Sequence, residues 1–205
     1  MARTKANEIE RESSSDKIEK ILQGSKQEFL AHGYTGASMD RVAVAAGVSK
    51  ATIYSHFQDK EGLFKALIEQ LARKKFESIF GAQALEGEPN IVLKQLLAKA
   101  LTQMLEDSEF QAFERVIIGE SARFPELARI LFRCIAKPGS EIISQYLAAN
   151  PELDIPDPDA MVWVLMGSIV HFVIAQQIMH GKDVLPMESD RLIDALTHLI
   201  SKCSQ

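Results

Sequence analysis

With 205 residues, 46% of them hydrophobic, and only 11 glycines and 7 prolines, the chain suits one or two packed domains and excludes a largely disordered protein. Its net charge of -5 divides unevenly: residues 1–60 hold 9 Lys and Arg against 8 Asp and Glu, the rest 14 against 20, which excludes a diffuse basic surface. Cys134 and Cys203 form no CxxC or Cys/His cluster, so they read as two reduced thiols, and neither a disulfide framework nor a metal or cofactor site is expected.

Residues 1–15 read as a disordered polar arm in which Arg3, Lys5 and Arg11 interleave with Glu8, Glu10 and Glu12. No apolar stretch succeeds these charges, so no secretory signal is expected and the protein is placed in the cytoplasm. A first helix is predicted from Asp16, a good N-cap, to His32, with Ile18, Ile21, Leu22, Ser25 and Phe29 on one face and Gly33 as its stop. Its task is to brace the next two helices, which alone bury too little apolar area to hold their shape.

Residues 38–57 read as two short helices hinged at Gly47. Ser38 caps the first, whose inner face is Val42, Ala43 and Ala46; Gly47 permits a positive φ, and Ser49 caps the second. Ala43 and Ala46 keep the pair slim at its crossing, and Val48 plugs the gap. Ile53 and Phe57, four apart, are buried together, which leaves Lys50, Ala51, Thr52, Tyr54, Ser55 and His56 outward. A short braced helix rich in hydrogen-bond donors is what a major groove accepts, so 16–60 is expected to be a helix-turn-helix DNA-binding domain. With so little positive charge, binding would rest on a few placed contacts and on two heads acting together.

Asp59 caps a long helix through Leu63, Phe64, Leu67, Ile68, Leu71, Phe76 and Ile79. Lys60 in its first turn opposes the helix dipole, and a nearby DNA phosphate would explain it. Residues 61–205 form the helical remainder. After a loop over 81–90, helices are predicted through 91–105, 108–122 and 125–131, with Pro138-Gly139 interrupting the last before 142–147. The proline-rich stretch 150–159 is a break, and two final helices cover about 158–180 and 188–202. The apolar run near 160–175, interrupted by Ser168 and His171, falls short of the roughly 20 residues a bilayer core needs, and a helix buried on all sides is the better reading. Such burial is easiest if a second subunit covers it, so the last two helices are the dimerisation candidates. No membrane partner is expected.

The run Ser38 to Lys60, continued by Glu61-Gly62-Leu63-Phe64, closely resembles the signature of the TetR family of bacterial transcriptional regulators. The matching residues are Gly33-Tyr34, Ala45-Ala46-Gly47-Val48-Ser49, Ile53-Tyr54-Ser55-His56-Phe57, and Lys60 with Leu63-Phe64. Arg115-Val116-Ile117-Ile118-Gly119-Glu120 and Arg123-Phe124-Pro125-Glu126-Leu127 are similar to an AefR-like C-terminal domain of some members. The resemblance implies an all-α protein of about nine helices, a three-helix DNA head joined by a long helix to a ligand-binding and dimerisation domain, and a homodimer through the last two helices. It also implies that Lys50, Ala51 and Thr52 approach base edges of double-stranded operator DNA, while Ser38, Ser49, Tyr54, His56 and Lys60 hold phosphates. Taken singly, Tyr54 could pack on a neighbouring helix, His56 could cap a helix end and Lys60 could be a solvated charge. Ala51 departs from the glycine or polar residue of many members, so base reading leans on Thr52 and on a thymine methyl against Ala51.

A small, hydrophobic effector would enter the helical body. Candidates there are Phe76, Met104, Phe113, Ile117, Glu120, Phe124, Trp163, Met166, His171 and Gln176, mainly apolar with a few polar groups. Each is also a plain core position at helical spacing. The implied activity is repression at a palindromic operator, relieved when the effector shifts the helix that starts at Asp59. No phosphate loop, HExxH or nucleophile elbow points to an enzyme. A helical binding or scaffold protein without DNA binding is the alternative.

Overall fold

A computed structural model of the chain describes residues 2–81 and 85–202, with side chains from Ser15 onward, and every regular element in it is a helix. The α-helices are α1 (Ala2–Gly36), α2 (Met39–Ala46), α3 (Lys50–Phe57), α4 (Lys60–Phe80), α5 (Pro89–Glu106), α6 (Ser108–Glu120), α7 (Pro125–Leu131), α8 (Lys137–Ala148), α9 (Pro158–Val173) and α10 (Ser189–Lys202). Two π turns, Phe132–Ala136 and Ile174–Ile178, extend α7 and α9. The chain divides into two compact units: residues up to Gln70 with Val116–Leu127, and Leu71–Arg115 with the residues from Ala128 on. The boundary therefore falls inside α4, ten residues later than the expected 60/61 division, and the end of α6 joins the head. The side chains of Arg3, Lys5 and Arg11, and Cys203, lie outside the described residues.

In the first unit the helix does not begin at Asp16. The backbone is helical from Ala2, so the segment expected to be a disordered arm continues α1. It contains neither glycine nor proline and is rich in alanine, lysine, arginine and glutamate, all good helix formers. Gly33 does break the helix, with φ 66° and ψ -179°. Ile21, Leu22, Ser25 and Phe29 are buried on one face, as their spacing requires.

The turn after α2 follows the predicted chemistry. Gly47 is left-handed (φ 66°, ψ 31°); its N–H donates to the Val44 carbonyl at 3.2 Å and the Val48 N–H to the Ala43 carbonyl at 3.1 Å, a Schellman closure. The slimness of α2, however, serves α1. A Cβ placed on Gly24 would stand 2.8 Å from the Ala46 backbone nitrogen, so these two helices meet backbone to backbone. Val42 and Ile53 are fully buried beneath, and Phe29, Tyr34 and Phe64 form an aromatic cluster with ring centroids 4.4 Å (Phe29–Phe64) and 5.0 Å (Tyr34–Phe64) apart. Each such fully buried large side chain contributes roughly 1.5–3 kcal/mol.

The second unit is built on α5, α8, α9 and α10, with Leu93, Leu97, Leu101, Ile143, Leu147, Val162, Leu165, Ile169, Val173, Ile193, Leu196 and Ile200 in one core. Glu88 caps α5 through the N–H groups of Asn90 and Ile91, both at 3.1 Å, and Asp157 caps α9 through that of Ala160 at 3.0 Å.

Two expectations are corrected. Pro138-Gly139 does not interrupt a helix. The π turn Phe132–Ala136 runs directly into α8, whose first turn holds Pro138, and Gly139 lets the Phe80 ring approach, since a Cβ there would stand 2.7 Å from it. Nor is the apolar helix buried on all sides. With its π turn it runs 21 residues and contains an 18-residue stretch of mean hydropathy 1.7, long and apolar enough to cross a membrane by length and composition. Yet Val162, Leu165, Ile169, Phe172 and Val173 pack into the core, while Trp163, Val164 and Val170 are exposed on the opposite face.

Candidate DNA-binding surface and effector region

Ser38 and Ser49 stand at the N-termini of α2 and α3 as their sequence positions predict. The Ser38 hydroxyl accepts from the Asp40 N–H at 3.3 Å, and that of Ser49 from the Thr52 N–H at 3.1 Å. Both helix starts are thereby fixed. Lys50, Ala51, Tyr54 and Ser55 are exposed on α3, and Thr52 and His56 are half-buried beside them. Thr52 shares a hydroxyl hydrogen bond with Ser49 at 2.8 Å, so its rotamer is set by the cap. Lys50 pairs with Asp40 at 2.9 Å; both are exposed, so solvent screens the pair and a phosphate can displace the carboxylate.

Gln58 closes α3 with φ 66° and ψ -52°, and the Asp59 N–H donates to the Phe57 carbonyl at 2.7 Å, a tight three-residue turn. Asp59 then caps α4 through the Gly62 N–H at 2.7 Å, as expected. Gly62 has no alternative: a Cβ would press into the Phe57 carbonyl.

Lys60 has a different partner from the one its sequence position suggests. Its ammonium donates to the carbonyls of Thr35 (3.0 Å) and Ala37 (3.2 Å) and lies 5.0 Å from the centre of the Tyr34 ring. The protein itself thus accounts for a cation in the first turn of α4, by using it to clamp the chain between α1 and α2.

Sequence reasoning missed a second brace. Glu28 is buried, and its carboxylate accepts from the Ser38 N–H at 2.8 Å and from the Arg41 guanidinium at 2.6–3.0 Å. Arg41 in turn donates to the Gly36 carbonyl at 2.8 Å. The Arg41 hydrogen bond holds the Glu28 carboxyl below its ordinary range, against the opposing effect of burial. The signal was present: Glu28 falls on the stripe of Ile21, Ser25 and Phe29, and a charge on a buried stripe demands a partner.

The effector candidates fall in both units. Ile117, Glu120 and Phe124 belong to the DNA-binding unit. There Glu120 accepts from Thr35, and the Phe124 ring stands edge-on to Tyr34 at 4.6 Å. Phe76, Met104, Phe113, Met166 and Gln176 are buried or half-buried in the second unit, with Met166 against the Ser140 hydroxyl, whereas Trp163 and His171 face outward on α9.

The second unit also holds an ionic cluster that was not anticipated. Lys75 is buried and pairs with Asp107 at 2.5 Å, and burial pushes the neighbouring Glu114 carboxyl up to about 7, with Lys75 opposing and Asp107 adding to the shift.

A braced helix pair with capped starts and an outward, donor-bearing second helix defines a helix-turn-helix DNA-binding regulator. Residues 21–67 match the model of the tetR family of bacterial regulatory proteins, and 92–201 match that of the AefR-like transcriptional repressor C-terminal domain. The chain belongs to the TetR family. It is similar to the repressor AcnR of Corynebacterium glutamicum (35% identity over 44% of this chain and 42% of that one) and to the repressor BepR of Brucella suis (30% over 65% and 61%). These alignments span less than two thirds of either curated relative. Among solved structures, a TetR-family regulator from Mesorhizobium loti superposes with a TM-score of 0.74 at 23% identity, covering 93% of this chain and 96% of that one. The flavonoid-responsive regulator FrrA does so with 0.67 at 27%, covering 91% and 95%.

Proposed function

We propose that the protein is a cytoplasmic repressor that binds a palindromic operator as a homodimer and leaves it when a small, mainly apolar effector binds the helical body. The observation that carries this reading is α3, where Lys50, Ala51, Thr52 and Tyr54 project from a helix fixed at its start by Ser49 and beneath by Ile53. Base reading falls to Ala51 and Thr52, and phosphate contact to Lys50, Tyr54, His56 and the two capped helix starts. The exposed Trp163, Val164 and Val170 of α9, with Leu199 of α10, supply an apolar face for a two-fold dimer, which would present two heads to two half-sites. The names of AcnR and BepR support repression, and the response of FrrA to flavonoids supports a small-molecule effector.

Gel-shift titration of the full chain on its own upstream DNA tests the reading. A two-fold-symmetric footprint is expected, with Thr52 substitutions changing sequence preference and Tyr54 substitutions weakening binding to all sequences. Effector release must be reciprocal: if saturating effector and operator bind without influencing each other, the release mechanism is wrong. Failure to bind any palindrome at low salt would favour a scaffold protein instead.

A further inference from the structure

We infer that the second unit holds its effector through Glu114 and Gln176, and that this effector is an apolar molecule presenting hydroxyl or ammonium donors and no carboxylate. The inference rests on the proposed effector response and specifies its chemistry.

Glu114 follows the buried Phe113 on α6 and lies one turn beyond the buried Phe110, so it belongs to the interior stripe, yet it keeps some accessible surface. Among the described residues no donor hydrogen-bonds to its carboxyl group. Burial is the largest influence on that carboxyl.

Neither neighbouring cation is available to it. Lys75 is committed to Asp107 and to the Gln103 carbonyl at 2.9 Å, with the Phe110 ring 5.1 Å away. Arg115 donates to the carbonyls of Gln177 (2.7 Å) and Ile178 (3.4 Å), which pins the π turn Ile174–Ile178 to the α6 segment that carries Glu114.

That same turn supplies the second group. Gln176 is 7% exposed, and its amide orientation is fixed because Nε2 donates to the Leu185 carbonyl at 2.7 Å. Its Oε1 is buried with no partner among the described residues. An acceptor left so costs stability until a donor arrives. A buried amide oxygen and a partly sheltered carboxyl, neither receiving a donor among the described residues and carried on segments joined by Arg115, match hydroxyl or ammonium groups. A carboxylate would meet Glu114 and Asp107 with both nearby cations already occupied.

Calorimetry and thermal shift on the full chain, in slightly alkaline buffer, test this with hexylresorcinol (neutral donors), phenylhexylamine (a cation) and phenylhexanoate (an anion). The first two are expected to bind and raise the Tm, and the third is not. E114L should weaken the donor probes about tenfold or more, the scale of one buried hydrogen bond, and should relieve the exclusion of phenylhexanoate. E114Q, which keeps the shape and removes the charge, guards against misfolding and should reduce only the preference for the amine. The inference is overturned if phenylhexanoate binds as tightly as the donor probes, if E114L leaves the order of the three unchanged, or if none of them binds. Operator release is read separately: probe binding without release leaves this site standing and removes the proposed mechanism.

Discussion

Thr35 donates both its N–H and its hydroxyl to the Oε1 of Glu120, at 3.4 and 3.1 Å, across 85 residues of chain. Its carbonyl meanwhile receives Lys60. One threonine at the end of α1 therefore holds the last turn of α6 and the first turn of α4, and α6 forms part of the DNA-binding unit rather than of the body alone. We predict that E120A lowers stability by about 1 kcal/mol, the value of an exposed hydrogen-bond pair, and weakens operator binding by up to about fivefold. T35V should do less, and the double variant should cost no more than E120A, because both remove the same interaction. Urea unfolding and gel shifts on the four proteins measure this; additive losses would show the pair to be independent.

Lys60 separates two roles that its position in the family signature merges. If its ammonium is spent on the Thr35 and Ala37 carbonyls, K60M should lower the Tm and reduce operator affinity at every salt concentration, leaving the slope of log affinity against log salt unchanged. A phosphate contact would instead reduce that slope by about 0.9. Lys50, paired with exposed Asp40, is expected to show the reduced slope when replaced by methionine.

The Glu28–Arg41 brace makes a pH prediction of definite sign. The folded carboxyl titrates below its ordinary 4.5, so its stabilisation is fully present above that value and is lost as pH falls through the folded pKa. Replacing the two partners should not cost the same. R41M leaves a buried carboxylate with the Ser38 N–H and the His32 ring 3.7 Å away and should lower stability near neutrality, whereas E28Q leaves Arg41 in water and should cost less. Urea midpoints from neutrality down to acid measure both, and E28Q should flatten the acid limb.

Local chemistry made the head legible. Ser38, Gly47, Ser49 and Asp59 each perform the task that their side chain or missing side chain dictates, because caps and turns are decided within four residues. What the sequence withheld was long-range pairing. Nothing within four residues of Glu120 announces Thr35, and Lys60 reads equally as a phosphate ligand or an internal clamp until the Thr35 carbonyl is placed beside it. The helix-breaking value of Pro138-Gly139 was overridden by a π turn and by the Phe80 ring. Trp163 and His171 looked like pocket residues because an apolar helix does not reveal which side a core covers.

Gly24 tests the close approach of α1 and α2. G24A places a methyl against the Ala45–Ala46 backbone, which cannot withdraw as a flexible side chain would. A loss of about 1–3 kcal/mol is expected, with operator binding falling more than the helix content seen by circular dichroism, since α2 must tilt away while remaining helical. Unchanged stability would mean that the two helices stand further apart than the structure places them.

Glu114 gives the opposite pH dependence to Glu28, and this makes the two separable in one protein. Its carboxyl is raised from 4.5 to about 7, so the folded chain binds the proton more tightly than the unfolded chain does between those values. Stability linked to this group is complete below 4.5, falls as pH rises through the interval, and levels off above about 7, where the buried charge must be carried. E114Q removes the ionisation without removing the shape. It should therefore be more stable than the wild type by about 2 kcal/mol in alkaline buffer, after allowance for the partial exposure of the group, and indistinguishable from it in acid. Urea midpoints for the two proteins across this range carry the test. A gain for E114Q that persists unchanged in acid would mean that Glu114 is strained by packing rather than by desolvation, and the sheltered acceptor on which the ligand chemistry depends would be lost with it.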